Sequence, residues 1–122
     1  MENYNEKIAT LLKKVGISPA LLGYKYTREA IKLVLEDDTV LEDITKRLYP
    51  DIAKKFNSTA SRVERAIRHG IERAFDNIPA DIITAVFGNT VAYHKGKVTN
   101  SEFIATLAEL ITTEPNNPIW RM

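Results

Sequence analysis

Two guanidinium groups and a carboxylate, Arg62, Glu64 and Arg65, fall within one helical turn of the run STASRVERAIRHGIE. Each arginine can present paired N–H donors to the O6 and N7 acceptors of a guanine, and Glu64 can accept from the N4 amino group of a cytosine. A surface that only gathers phosphates gains nothing from a carboxylate among its arginines, so the mixture points to base edges in a major groove. The neighbours suit the backbone of such a groove. Ser58, Thr59 and Ser61 bring hydroxyl and main-chain donors to a helix N-terminus, Lys54 and Lys55 precede them, and Arg68 and His69 extend the same side by a turn. A bland account also exists: Glu64 with Arg68, or Arg65 with Glu72, can pair on a solvated helix face, where such pairs contribute little.

Those side chains need a helix with one packed face and a short partner before it. At about 100° per residue, Ala60, Val63, Ile67, Gly70, Ile71 and Ala74 share one arc, and Ser61, Arg62, Glu64, Arg65, Arg68 and His69 share the other. The preceding piece, DIAKKF, is as short as a helix-turn-helix requires. Ala53 is small where two helices must approach, and Asn57 tolerates the left-handed conformation a tight turn needs. Ile52, Phe56, Val63 and Ile67 supply the shared core, which places the helix-turn-helix at about residues 50–76.

The rest of the chain is patterned for helices. Ile8, Leu11, Leu12 and Val15 make a stripe that Gly16 ends, and Pro19 is expected to start a short segment, PALLG. Thr27 is expected to cap TREAIKLVLED, and Thr39 to open a helix through Val40, Leu41, Ile44 and Leu48 that Pro50 stops. ADIITAVFG ends at Gly88, residues 89–100 read as a loop, and a last helix starts at Thr99 or Ser101. No repeat or strand pair is visible. The expected fold is all-α, a compact bundle of about six helices over residues 1–113, with a polar tail at 114–122.

Composition narrows the class. The 122 residues are 44% hydrophobic and 27% charged, which suits one globular domain. There is no cysteine, which excludes disulfides, thiolate catalysis and cysteine zinc sites. No apolar run approaches the ~18 residues that cross a bilayer, so no membrane partner is expected, and a cytoplasmic location is. The net charge is only +1, but it is segregated: residues 46–73 carry eight basic and three acidic groups, with an acidic excess on either side. A local basic face of this kind suits double-stranded DNA.

The blocks LYPDIAKKFNSTASRVERAIRHGIE at 48–72, GYKYTREAI at 23–31 and TNSEFIATLAELI at 99–111 closely resemble the DNA-binding effector domain of the stage zero sporulation protein A family, the sporulation master regulators. The resemblance implies a six-helix domain that binds TGTCGAA-type sites, as activator or repressor, and associates with the nucleoid. It implies base reading by Arg62, Glu64 and Arg65, and backbone or peripheral contacts by Ser61, Arg68 and His69. It further implies a homodimer on tandem sites and a contact with the RNA polymerase sigma subunit around Ile78, Asp81, Ile82, Thr84 and Phe87, where IPADIITAV is more apolar than the family pattern. Family members carry a phosphoacceptor receiver domain, for which 122 residues leave no room beside the effector. The alternative is a receiver-less interaction module that pairs with the full regulator or with polymerase and antagonises it.

Other signals point to no catalysis, cofactor or metal. His69 and His94 lie in different elements without ligands at metal spacing, and Glu36, Asp37 and Asp38 read as a solvated turn. Lys95, Gly96 and Lys97 lack the glycine spacing of a phosphate-binding loop. Trp120 either folds back on the body or packs between chains.

Overall fold

The computed structural model describes residues 4–89 and 98–122. Among them are six α-helices and no strand: α1 (Asn5–Lys14), α2 (Leu22–Glu36), α3 (Tyr49–Lys55), α4 (Ala60–Asn77), α5 (Ala80–Phe87) and α6 (Asn100–Thr113). His94, the Lys95–Lys97 stretch and most of the expected loop lie outside the described residues.

Helix α2 is the hub, packed on α1, α4 and α6. Ala30, Ile31, Leu11, Leu12, Ile67, Phe103 and Leu107, all with no exposed surface, close one core between these helices. The arc expected of α4 is the buried one: Val63, Ile67, Gly70, Ile71 and Ala74 face inward, with Ala60 half-buried at the start. Contact with α2 is close enough to require glycine. A Cβ on Gly23 would stand 2.4 Å from the Ala66 carbonyl oxygen, so only a bare backbone fits there.

That crossing overturns the expected start of α2. The segment PALLG is not a helix of its own, and Thr27 is not a cap. Residues 19 and 20 lie in a turn, α2 begins at Leu22 and runs through Gly23, and Thr27 sits mid-helix, fully buried with no partner for its Oγ1. Gly23 is a contact point for α4 rather than a stop.

Residues 38–48 also differ from expectation. The pattern of Val40, Leu41, Ile44 and Leu48 predicts an α-helix from Thr39, but the chain forms a 3₁₀ turn, Asp38–Asp43, and then a π turn, Ile44–Leu48. Asp37 is the cap: its Oδ1 accepts from the Thr39 amide at 3.0 Å and from the Thr39 hydroxyl at 2.6 Å. Arg47 donates to Asp37 Oδ2 at 3.1 Å and to Thr39 Oγ1 at 2.9 Å. The acidic run is therefore a cap with an ion pair, not only a solvated turn. Hydrogen bonding to Thr39, with help from Arg47, holds the Asp37 carboxyl below its ordinary pKa. Pro50 does not stop a helix but lies in the first turn of α3, where its missing N–H costs nothing.

The C-terminal residues return to the body. Pro118–Arg121 form a 3₁₀ turn, Ile119 is fully buried, Asn117 Nδ2 donates to the Ala85 carbonyl at 3.0 Å, and Trp120 Nε1 donates to the Glu114 carbonyl at 2.8 Å. Trp120 thus folds back, half-buried, onto its own chain.

Candidate nucleic-acid interface

Two short devices aim α4. Helix α3 ends in a left-handed residue, Asn57 at φ +54°, and the Ser58 amide reaches back to the Ala53 carbonyl at 2.8 Å. This is the six-to-one bond of a Schellman ending, and it turns the chain within three residues. Thr59 then caps α4, accepting from the Arg62 amide at 3.2 Å. Val63 and Ile67, fully buried in the same core as Ile52, leave the opposite face outward.

On that outward face Ser61, Arg62, Arg65, Arg68 and His69 are exposed, and Glu64 is partly so. The guanidinium groups of Arg62 and Arg65 have no hydrogen-bond or ion-pair partner among the described residues. Neither has the Lys54 ammonium nor the His69 ring. Arg62, Arg65 and His69 border one groove, whose far wall is Leu22 and Tyr26 of α2 together with Phe56. Leu22 is the most exposed large apolar side chain of the described residues, at 52%.

The other side of α4 is occupied by its own partners. Arg68 Nε donates to Glu64 Oε2 at 3.0 Å, and Arg68 Nη1 stands 3.6 Å from Glu72. Hydrogen bonding to Glu64, with its charge, pushes the Arg68 pKa above the ordinary value, so this cation keeps its charge. The bland account therefore holds for Glu64 with Arg68, while Arg65 has no pair with Glu72. Behind Glu64 stands Asn100, the first residue of α6, whose side-chain amide lies 3.0 Å from the Tyr49 hydroxyl and 3.2 Å from the Glu64 carbonyl. Sequence reasoning missed both Asn100 and Tyr49. The capping box of Thr99 and Glu102 marks where α6 begins but not what its first side chain meets.

Structure also divides the expected phosphate contacts. Lys55 donates to Glu29 at 2.8 Å, with Glu29 largely buried, and Thr59 spends its hydroxyl on the cap. Three of the eight basic groups in residues 46–73 thus have acidic partners: Arg47 with Asp37, Lys55 with Glu29, and Arg68 with Glu64 and Glu72. The basic face is narrower than the count by segment implies: Lys46, Lys54, Arg62, Arg65 and Arg73 stay open, and of these Arg62 and Arg65 lie in the first two turns of α4. In α5, Asp81 and Thr84 are exposed, Ile82 is half-buried, as is Ile78 just before the helix, and Phe87 is buried. Phe87 sits between Phe75 and Phe103, at ring separations of 5.5 and 5.7 Å, so it belongs to the core and not to a partner-binding face.

The family model described as sporulation initiation factor Spo0A C terminal matches residues 8–111. The chain belongs to that family. Membership makes it a DNA-binding domain of a sporulation regulator, and its all-helical fold fits a helix-turn-helix carried by α3 and α4. No helix among the described residues is long and apolar enough to cross a membrane.

Proposed function

We propose that this domain reads a short TGTCGAA-type duplex through the outward face of α4. Arg62 and Arg65 engage guanines, Glu64 a cytosine, and Lys54, Ser58 and Ser61 the backbone. The observation that carries this is the pair of exposed, partnerless guanidinium groups on a helix whose opposite face is wholly packed. Two such groups, with no acid three or four residues away to pair with and both nearby acids held by Arg68, suit a surface made for an outside acceptor. Arg68 and His69 take peripheral roles, and Thr59 and Lys55 act through structure rather than as direct contacts. Two copies on tandem sites, and a sigma-subunit contact on the α5 side around Asp81 and Thr84, complete the proposal.

The test is a titration of labelled duplex containing the TGTCGAA-type site, beside a scrambled duplex, at two salt concentrations. The expected result is tighter binding to the site, by roughly 10³-fold or more, with both affinities falling as salt rises. Equal affinity for the two duplexes would sink the proposal in favour of the protein-interaction module.

A further inference from the structure

Glu64 is the one acidic side chain among the proposed base readers, and a carboxylate on an exposed helix ordinarily samples several rotamers. Here it does not stand alone. The Asn100 side-chain amide points at three oxygens: Tyr49 Oη at 3.0 Å, the Glu64 carbonyl at 3.2 Å and Glu64 Oε2 at 3.4 Å. Oε2 also receives Arg68 Nε at 3.0 Å, whereas Oε1 accepts no hydrogen bond from the described residues. One carboxylate oxygen is held and the other is left with its acceptor sites open.

We infer that Asn100 is a positioning residue for DNA reading, clamping Glu64 so that Oε1 is offered to a cytosine N4 amino group. This rests on the base-reading role proposed for Glu64. Of the two groups on Oε2, Asn100 is the rigid one. Arg68 is a long side chain, 47% exposed, with more rotamer freedom to lose than an asparagine. Asn100 is short, half-buried and set at the first position of α6 by the reciprocal Thr99 and Glu102 capping box. It grips the Glu64 backbone as well as its carboxylate, so the residue is fixed at both ends. Tyr49, 7% exposed, backs the amide from behind, and burial raises its pKa so that the phenol stays neutral beside the carboxylate. The clamp joins residues 36 apart in sequence and ties the reading helix to α6. A side chain held before DNA arrives loses less rotamer freedom on binding, and that loss is otherwise charged only to the correct base.

The experiment uses the full 122-residue chain and the duplex with every single-base change in turn. Asn100→Asp keeps the size and a favourable first-turn acid for α6 while removing both donors; Asn100→Ala removes them without adding charge. Both variants should lose roughly three- to tenfold of discrimination at the base pair where Glu64→Gln also loses it. Affinity for scrambled duplex and discrimination at the guanines read by Arg62 and Arg65 should stay as in the wild type. Combining Asn100→Asp with Glu64→Gln should add no further loss at that pair. Wild-type discrimination in both Asn100 variants, or an even loss at every position together with a lower Tm, would overturn the inference while leaving the reading by α4 intact. A wild-type chain that fails to prefer its site would instead remove the proposal on which the inference stands.

Discussion

On one side of α4, Glu64, Arg68 and Glu72 are joined to each other and, through Asn100, to α6. On the other, Arg62, Arg65 and His69 stand open beside a groove walled by α2 and Phe56. The tied side carries two acids around one arginine and the open side two arginines and a histidine with no acid, and the element alongside differs as well. The N-terminus of α6 brings the Asn100 amide to the Glu64 carboxylate, whereas the first turn of α2 brings Leu22 and a glycine. A binding helix needs both conditions: groups already placed, and groups still free to bond something else.

The largest effect is expected where the open side is built. Gly23→Ala puts a Cβ against the Ala66 carbonyl, a contact no side-chain rotation can relieve. Even after the helix-propensity gain of an alanine, it should destabilise by about 3 kcal/mol. That corresponds to a Tm lower by roughly 10 °C in a thermal melt. Gly70→Ala is the control, since its Cβ would meet Gly23 at an ordinary 3.6 Å. That variant should be neutral or gain up to about 1 kcal/mol. Equal melting of the two variants would show that the crossing of α2 and α4 is not the close one described.

Legibility in the sequence followed the same divide. The packed arc of α4 could be read because its apolar residues keep the helical period, and the Asn57 turn because few residue types accept a positive φ. The pairing of Glu64 with Arg68 was visible as four-residue spacing. What was hidden depends on neighbours in space. Gly23 resembles punctuation until Ala66 lies across it, and Pro50 resembles a stop until the π turn before it shows that a new helix is starting. Val40, Leu41, Ile44 and Leu48 fit a 3.6-residue period closely enough that tighter and wider turns give nearly the same pattern. Asn100 carries no local mark of its bond to Glu64, because the two meet only after α6 has docked.

Next in size is the contrast between two arginines a turn apart. Arg65→Ala should lower discrimination at one guanine by about 1 to 3 kcal/mol in a single-base competition series. Arg68→Ala should leave guanine discrimination intact, because its guanidinium is already committed to Glu64 and Glu72. If both variants lost the same base preference, the distinction between open and tied sides would be wrong. Below these comes Lys54 against Lys55. Lys54→Ala should reduce the slope of log affinity against log salt by about 1, with similar weakening on every duplex. Lys55→Ala should change that slope less and the Tm more, since it strips the partner from the largely buried Glu29.

The smallest effect is expected at an exposed pair remote from the proposed reading face. Asp37 accepts from Thr39 and Arg47, which favours its charged form in the fold and lowers its pKa from the usual 3.8. A carboxyl with a lowered folded pKa stabilises above its unfolded pKa, and that stability is lost as pH falls through the folded value. The wild type should therefore lose Tm more steeply than Asp37→Asn between about pH 5 and pH 3. Asparagine retains an oxygen for the Thr39 amide, so the two proteins differ mainly in charge and should converge at the acid end. Because the carboxylate is solvated, the difference should be small and should shrink further at high salt. DNA affinity at neutral pH should be the same for both. Parallel melting curves across this range would mean that Asp37 caps the turn as a neutral acceptor would, with no contribution from its charge.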